Sequence, residues 1–298
     1  MLRLLALNKT NGKTEERTII KQTIGFLGAG NMAEAMMKGM ITSKQISPNQ
    51  IIVTNRQNAE RLSELEERYG LRTAKREKFP YKPLTVLFLA MKPKDAENVL
   101  LSIRPHLSKG TVVASVMAGI SLEFMESRLP KGQPVVRVMP NTSSGIGESA
   151  TAMSVGTSVT AEQELEIEEV LLTMGKVFTI KEDQMDLFTG IAGSGPAYFY
   201  YMMENMQKVG EEAGWDDELV QELCAQTILG AAQMVLQGSD SPTELRKKVT
   251  SPNGTTAAGL EALHQNGGGK AIQEAILGAA SRSEEIQQQL AQLLKKTS

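Results

Sequence analysis

The segment Ile24-Gly25-Phe26-Leu27-Gly28-Ala29-Gly30-Asn31-Met32-Ala33 constrains this chain more than any other. Ile24–Leu27 reads as a short apolar strand, and Met32–Ile41 has helical spacing. Between them the pattern Gly-x-Gly-x-x-Ala falls on Gly28, Gly30 and Ala33. Gly28 permits a tight turn, Gly30 lets the backbone approach a pyrophosphate, and Ala33 allows close packing of helix on strand. The first turn of such a helix offers free N–H groups and a partial positive charge to phosphates. A second strand at Ile51–Thr54 completes the unit. The expected ligand is a dinucleotide seated on Gly28, Gly30, Asn31 and Met32.

The first half of the chain keeps this rhythm. Further strands are expected over Leu84–Met91, Val112–Met117, Val135–Met139 and Thr151–Ser154, and helices over Asn58–Tyr69 and Lys94–Leu101. Near-continuous apolar runs of this length suit buried parallel strands. The alternation argues for a doubly wound, Rossmann-type sheet. Helical periodicity begins at Ala161–Met174 and, after a short strand near Val177–Ile180, runs through Asp183–Thr189, Gly195–Ala213, Asp216–Leu236, Ser241–Val249, Thr255–His264 and Gly269–Leu294. The expected plan is α/β. A polar N-terminal extension covers residues 1–22, a Rossmann-type domain 23–181, and an all-helical domain 182–298 whose long apolar faces suit burial against a second copy.

Composition excludes several classes. With 41% hydrophobic and 22% charged residues and a formal net charge of −2, there is no basic field for nucleic acid or anionic lipid. No apolar run approaches the ~20 residues that span a bilayer, so no membrane partner is expected. The single cysteine, Cys224, rules out an intrachain disulfide or a multi-cysteine metal site and reads as a small buried helical side chain. No metal is expected, and the location expected is cytoplasmic. The apolar start Met1–Leu7 is too short for a secretory leader and passes directly into polar residues.

The end of the second strand decides between dinucleotides. A site for NAD places Asp or Glu there to accept from the ribose 2′-hydroxyl. Here Thr54-Asn55-Arg56 stands instead. Arg56 can fork onto a 2′-phosphate, Asn55 can add a donor, and no carboxylate in the segment opposes them. NADPH is expected, with NADH a weaker alternative. Ala90-Met91-Lys92-Pro93 and Ala118-Gly119-Ile120 end the next two strands and would line the cofactor. Gly119 would allow close approach on the nicotinamide side, while Lys92 reads equally well as a surface cation. Asn141, after Val138-Met139-Pro140, can anchor an amide or hydroxyl.

Two glycine-bearing helix starts follow, Gly190–Tyr198 and Val249–Ala257. Each suits a small carboxylate, or serves as a cap without a ligand. The only histidines, His106 and His264, sit in a loop and near a helix end, away from any acid–base setting. Reduction of a ketone needs a proton donor at oxygen. A protonated imine already carries its proton, so a histidine-poor site leans toward C=N reduction.

These segments resemble the pyrroline-5-carboxylate reductase family from about Thr23 onward. The resemblance rests on Gly25–Met32, Met91-Lys92-Pro93, Met117–Ile120, Arg137–Thr142, Gly193–Tyr198 and Ser251-Pro252-Asn253-Gly254-Thr255-Thr256. It implies hydride transfer to a cyclic imine to give L-proline. It places the substrate carboxylate on Ser251 and the amides of Asn253, Gly254, Thr255 and Thr256, with the Thr256 hydroxyl on the ring nitrogen as the catalytic contact. It also implies a homodimer through the helical domain, with a decamer of five dimers as a larger form. The family turn commonly reads Ser-Pro-Gly-Gly, so Asn253 is a departure, as are the bulky Met117 and Phe199. The alternatives are a non-catalytic NADP-binding relative and a β-hydroxyacid dehydrogenase. The latter needs a catalytic lysine where Phe199 stands.

Overall fold

The computed structural model describes residues 20–295. Most of the expected extension over 1–22, and the last three residues, lie outside them. Ile20 is buried in the core, and Gln50 Nε2 donates to the carbonyls of Ile20 and Gln22 at 2.7 and 3.0 Å. The last residues of that extension therefore pack with the sheet unit.

Among the described residues eight strands form one sheet: β1 (Ile24–Leu27), β2 (Ile51–Thr54), β3 (Arg72–Thr73), β4 (Val86–Leu89), β5 (Val112–Ser115), β6 (Val135–Met139), β7 (Ser149–Val155) and β8 (Gly175–Thr179), in the order β3-β2-β1-β4-β5-β6-β7-β8. Strands β3 to β6 pair in parallel across the sheet, β7 runs antiparallel to β6, and β8 pairs parallel to β7. The strand order reverses between β1 and β4. In an open sheet, ligands bind in the crevice beyond the carboxyl ends of the strands at such a switch point.

Side-chain alternation along each strand fills two layers. Ile24 and Phe26 of β1, Val86 and Phe88 of β4, and Val112 and Ala114 of β5 face helices α1 (Asn31–Thr42) and α5 (Ala161–Leu172). Phe26 and Phe88 stack there with ring centroids 4.9 Å apart. Leu27, Leu87, Leu89 and Val113 face the other side, against α3 (Ala96–Ile103) and α4 (Leu122–Arg128). Helix α2 (Ala59–Tyr69) links β2 to β3, starting under an Asn58 cap and ending on left-handed Gly70.

The second unit is helical, as expected: α6 (Met185–Phe188), α7 (Gly195–Glu212), α8 (Asp217–Gln237), α9 (Pro242–Lys248), α10 (Thr255–Gln265) and α11 (Gly268–Lys295). One expectation is corrected. The glycines before Pro196 do not open a free helix start. Residues Thr189–Gly193 form a π-turn that carries the backbone from α6 into α7, with Ser194 N donating to Thr189 O at 2.8 Å. Gly190 lets α11 lie against this turn: a Cβ there would stand 2.4 Å from Ile276 O. Cys224 is buried on α8, matching the sequence reading.

Candidate active site

The glycine turn sits at the switch point. Gly28 has φ 114° and donates to Thr54 O at 3.0 Å. A Cβ there would lie 2.3 Å from Ala90 O, so only glycine lets β1 leave the sheet this close to the end of β4. Gly30 caps α1 with no side-chain oxygen, and nothing stands within 4 Å of its Cβ position. The first-turn N–H groups of α1 have no intrahelical acceptor and face that space. This cradle fits a pyrophosphate. Asn31 is exposed and Met32 half-buried at its rim.

Behind the cradle lies an ionic cluster that sequence reading missed. Arg61, on α2, donates from Nε to Ala29 O at 3.1 Å, bonds Glu34 of α1 and reaches Glu64 at 2.8 Å. Arg68 Nη1 and the Tyr69 hydroxyl donate to Glu34 Oε1 at 3.0 and 2.7 Å. Burial opposes the charge on Glu34, but the bonds from Arg61, Tyr69 and Arg68 and the Arg61 charge outweigh it and hold its carboxyl below the usual range. Burial, then Glu34, pushes the Tyr69 phenol up. With two carboxylates and a carbonyl as partners, Arg61 is committed to fixing the turn.

Asn55 and Arg56 follow β2 at the open edge. Arg56 is not alone there. Its Nη1 lies 3.5 Å from Asp95 Oδ1, at the start of α3. The sequence reading of a site without an opposing carboxylate is corrected on this point, because Asp95 comes from a different strand–helix junction. Two residues before Arg56, the buried Thr54 hydroxyl has no hydrogen-bond partner among the described residues. Ala90, Met91, Lys92 and Pro93 lead from β4 toward α3; Lys92 is exposed and makes no ion pair among the described residues.

Gly119, at φ 73°, follows β5 beyond Ala118. Its missing Cβ is required by α11, since that atom would stand 2.7 Å from Ile286 Cγ2 and 2.9 Å from Gln287 N. The need for glycine there is thus met by helix packing. Asn141 accepts from Ser143 N at 3.1 Å and donates to Ala192 O at 3.1 Å. Its side chain ties the end of β6 to the π-turn. Tyr198 belongs to the same knot: its hydroxyl lies 3.1 Å from Gly190 O and 3.2 Å from Ala275 O.

The Ser251–Thr256 turn is formed as an open helix start. Asn253 has φ 60°, one of two non-glycine residues with positive φ among those described. Gly254 N donates to Ser251 O at 3.1 Å, and Gly254 caps α10 without a side chain. A Cβ on Gly254 would strike Ser251 Oγ at 2.4 Å. Among the described residues the Ser251 and Thr256 hydroxyls make no hydrogen bond, and both are exposed. Helix α10 packs on α11, and α9 on α8. Neither histidine reaches the crevice. His106 stacks on Tyr81 at 5.3 Å, beside the amino ends of the strands, and His264 lies eight residues along α10 from Thr256, roughly 12 Å.

Residues 182–286 match the family described as pyrroline-5-carboxylate reductase dimerisation, and residues 23–119 match NADP oxidoreductase coenzyme F420-dependent. Pyrroline-5-carboxylate reductase 1 of Bacillus subtilis (strain 168) is 50% identical over 284 residues, covering 95% of this chain and 96% of that protein. The chain belongs to the pyrroline-5-carboxylate reductase family. The crystal structure of Plasmodium falciparum pyrroline carboxylate reductase with NADP bound superposes with a TM-score of 0.82 at 26% identity, covering 90% of this chain and 99% of that one. The Streptococcus pyogenes 1-pyrroline-5-carboxylate reductase gives 0.79 at 30% identity, over 89% and 98%. Within this pyrroline-5-carboxylate reductase fold, residues 182–286 are a dimerisation domain. That assignment accounts for α8, which is long and apolar enough by composition to cross a membrane yet shows Leu219, Leu223, Leu229 and Met234 exposed. The sequence reading placed this helix over Asp216–Leu236 without singling out its apolar average, because Glu222, Gln226 and Gln233 interrupt the apolar residues.

Proposed function

We propose that the chain reduces the cyclic imine 1-pyrroline-5-carboxylate to L-proline with NADPH, the last step of proline biosynthesis, as a homodimer in the cytoplasm. The observation that carries this reading is the Ser251–Thr256 turn. It offers two free hydroxyls beside the open N-terminus of α10, which suits a small carboxylate held next to a ring nitrogen. Ser251 and the amides of Asn253, Gly254, Thr255 and Thr256 hold the carboxylate, and the Thr256 hydroxyl orients the nitrogen. Gly28, Gly30, Asn31 and Met32 seat the pyrophosphate, and Asn55 and Arg56 take the 2′-phosphate. Ala90, Met91, Lys92, Pro93, Ala118, Gly119 and Asn141 line the remaining edge. When bound, NADPH would supply a hydride for the imine carbon, with the C=N electron pair taken up at the already protonated nitrogen. No side chain has to deliver a proton, which agrees with the remote histidines. Orientation and electrostatics then carry the rate.

The turn is exposed in a single chain, so nothing there excludes water from a substrate. The reading therefore requires a second copy to close the site, and five such dimers form the larger assembly proposed. NADPH oxidation is measured with the imine and with 3-oxo-acids, and NADP+ reduction with 2-hydroxy-acids. Turnover of the imine alone is the expected result. Bound NADPH with no turnover of any of these substrates would leave only a non-catalytic relative.

A further inference from the structure

Asp95 occupies the N-cap position just before α3, where an aspartate ordinarily accepts a helix N–H. It accepts none. Its backbone is already helical (φ −94°, ψ −4°), because a short 3₁₀ turn at Pro93–Asp95 leads into α3, and the carboxylate is not placed to cap. It pairs instead with Arg56, 3.5 Å away and 39 residues earlier in the chain. Arg56 follows β2 and Asp95 follows β4, the two strands that flank β1 and its glycine turn. The pair therefore straddles the crevice mouth at the residue assigned to the 2′-phosphate. Both partners remain reachable, with side-chain exposures of 79% and 33%.

We propose that Asp95 is a specificity-determining residue that sets the balance between NADPH and NADH. The proposal rests on Arg56 being the 2′-phosphate ligand. In the free enzyme Asp95 neutralises Arg56, so a 2′-phosphate must displace one carboxylate and then lie near it. A free 2′-hydroxyl meets no such opposition and finds an acceptor in the same carboxylate, as acidic residues supply in NAD sites. Arg61 cannot substitute for Arg56, because Glu34, Glu64 and the Ala29 carbonyl already occupy it. The pair is solvent-exposed and weak, so the expected effect is moderate: a factor of about three to five in relative affinity.

The test is direct binding to the intact protein, by calorimetry with adenosine 2′,5′-bisphosphate and 5′-AMP, and by nicotinamide fluorescence with NADPH and NADH. Asp95→Asn is expected to tighten the bisphosphate and NADPH about three- to five-fold, with 5′-AMP unchanged and NADH unchanged or weaker. An unchanged ratio between the two probes, or equal tightening of both, overturns the proposal. Arg56→Gln is measured in parallel. Selective loss of the bisphosphate upholds the cofactor reading, so failure of Asp95→Asn beside it counts against Asp95 alone. Equal loss of both probes overturns the cofactor reading itself. Because the pair is exposed, both variants are expected to keep the parent melting temperature.

Discussion

Asn253 holds a left-handed conformation in a turn that the family commonly builds with glycine. Asparagine tolerates φ near 60°, whereas a β-branched residue there is an outlier costing about 1–3 kcal/mol. Asn253→Gly is thus expected to keep imine reduction. Asn253→Val is expected to lower kcat/KM for the imine about ten-fold or more, with NADPH affinity unchanged in a fluorescence titration. Loss of both together would place the defect in the fold. Glu34 makes a second prediction, about pH. Despite burial, its carboxyl is held below the ordinary 4.5, chiefly by Arg61, Tyr69 and Arg68. A depressed carboxyl contributes stability that is present above the unfolded pKa and lost as pH falls through the folded one. Glu34→Gln should therefore melt lower than the parent at pH 7, and the gap should narrow steadily below about pH 4.5. A gap that stays constant to acid pH would show that the ionised carboxylate contributes nothing. At this scale the glycines were legible because only glycine fits them, as the 2.3 Å approach at Gly28 shows. The Arg61–Ala29 and Arg56–Asp95 contacts were not, since each joins residues more than 30 positions apart that no local pattern links.

Among elements, β1, β2, β4, β5 and β6 showed in the sequence because each is fully buried and mostly apolar. Strand β3 did not, being two residues long with Arg72 exposed, and α4 is only two turns with Glu123, Glu126 and Arg128 interleaved among Leu122, Phe124 and Met125. The antiparallel direction of β7 was hidden too, because alternation records which faces are buried and not which way a strand runs. What joins the sheet to the helical unit was equally invisible. Arg137 of β6 is 1% exposed and lies 3.2 Å from Asp186 Oδ1 of α6, which accepts in turn from Ser283 Oγ of α11 at 2.7 Å. Glu182 adds a second carboxylate 3.7 Å from Arg137 and also caps α4 by accepting from Leu122 N at 2.6 Å. Removing one partner of a buried pair leaves the other charge uncompensated, at a cost of about 3–5 kcal/mol. Because Glu182 remains beside Arg137, Asp186→Asn is expected to lower the unfolding free energy measured in urea by at most that amount, with the slope unchanged. Arg137→Met, which removes the buried charge itself, is expected to cost less. The reverse order would mean that Glu182 suffices for Arg137.

At the scale of the whole molecule, the helical unit is hydrophobic on faces that a single chain leaves bare. Leu219 and Leu223 of α8 lie one turn apart and both are exposed, as are Tyr200, Tyr201 and Val209 on α7. An apolar surface of this extent marks an association site. The same unit carries the Ser251–Thr256 turn, while the dinucleotide cradle belongs to the sheet unit. If a second copy closes the substrate site, closure and dimerisation are one event, and cofactor binding is separable from both. The double substitution Leu219→Glu and Leu223→Glu puts two charges into the contact, where burial without partners is prohibitive. Sedimentation should then show a monomer. That monomer should still bind NADPH, because Gly28, Gly30 and Arg56 need nothing from a second copy, and imine reduction should fall with the dimer fraction, recovering as protein concentration rises. A monomer with full imine turnover would show that one chain closes the site alone. A monomer that no longer binds NADPH would show that the sheet unit depends on the second copy for its own shape.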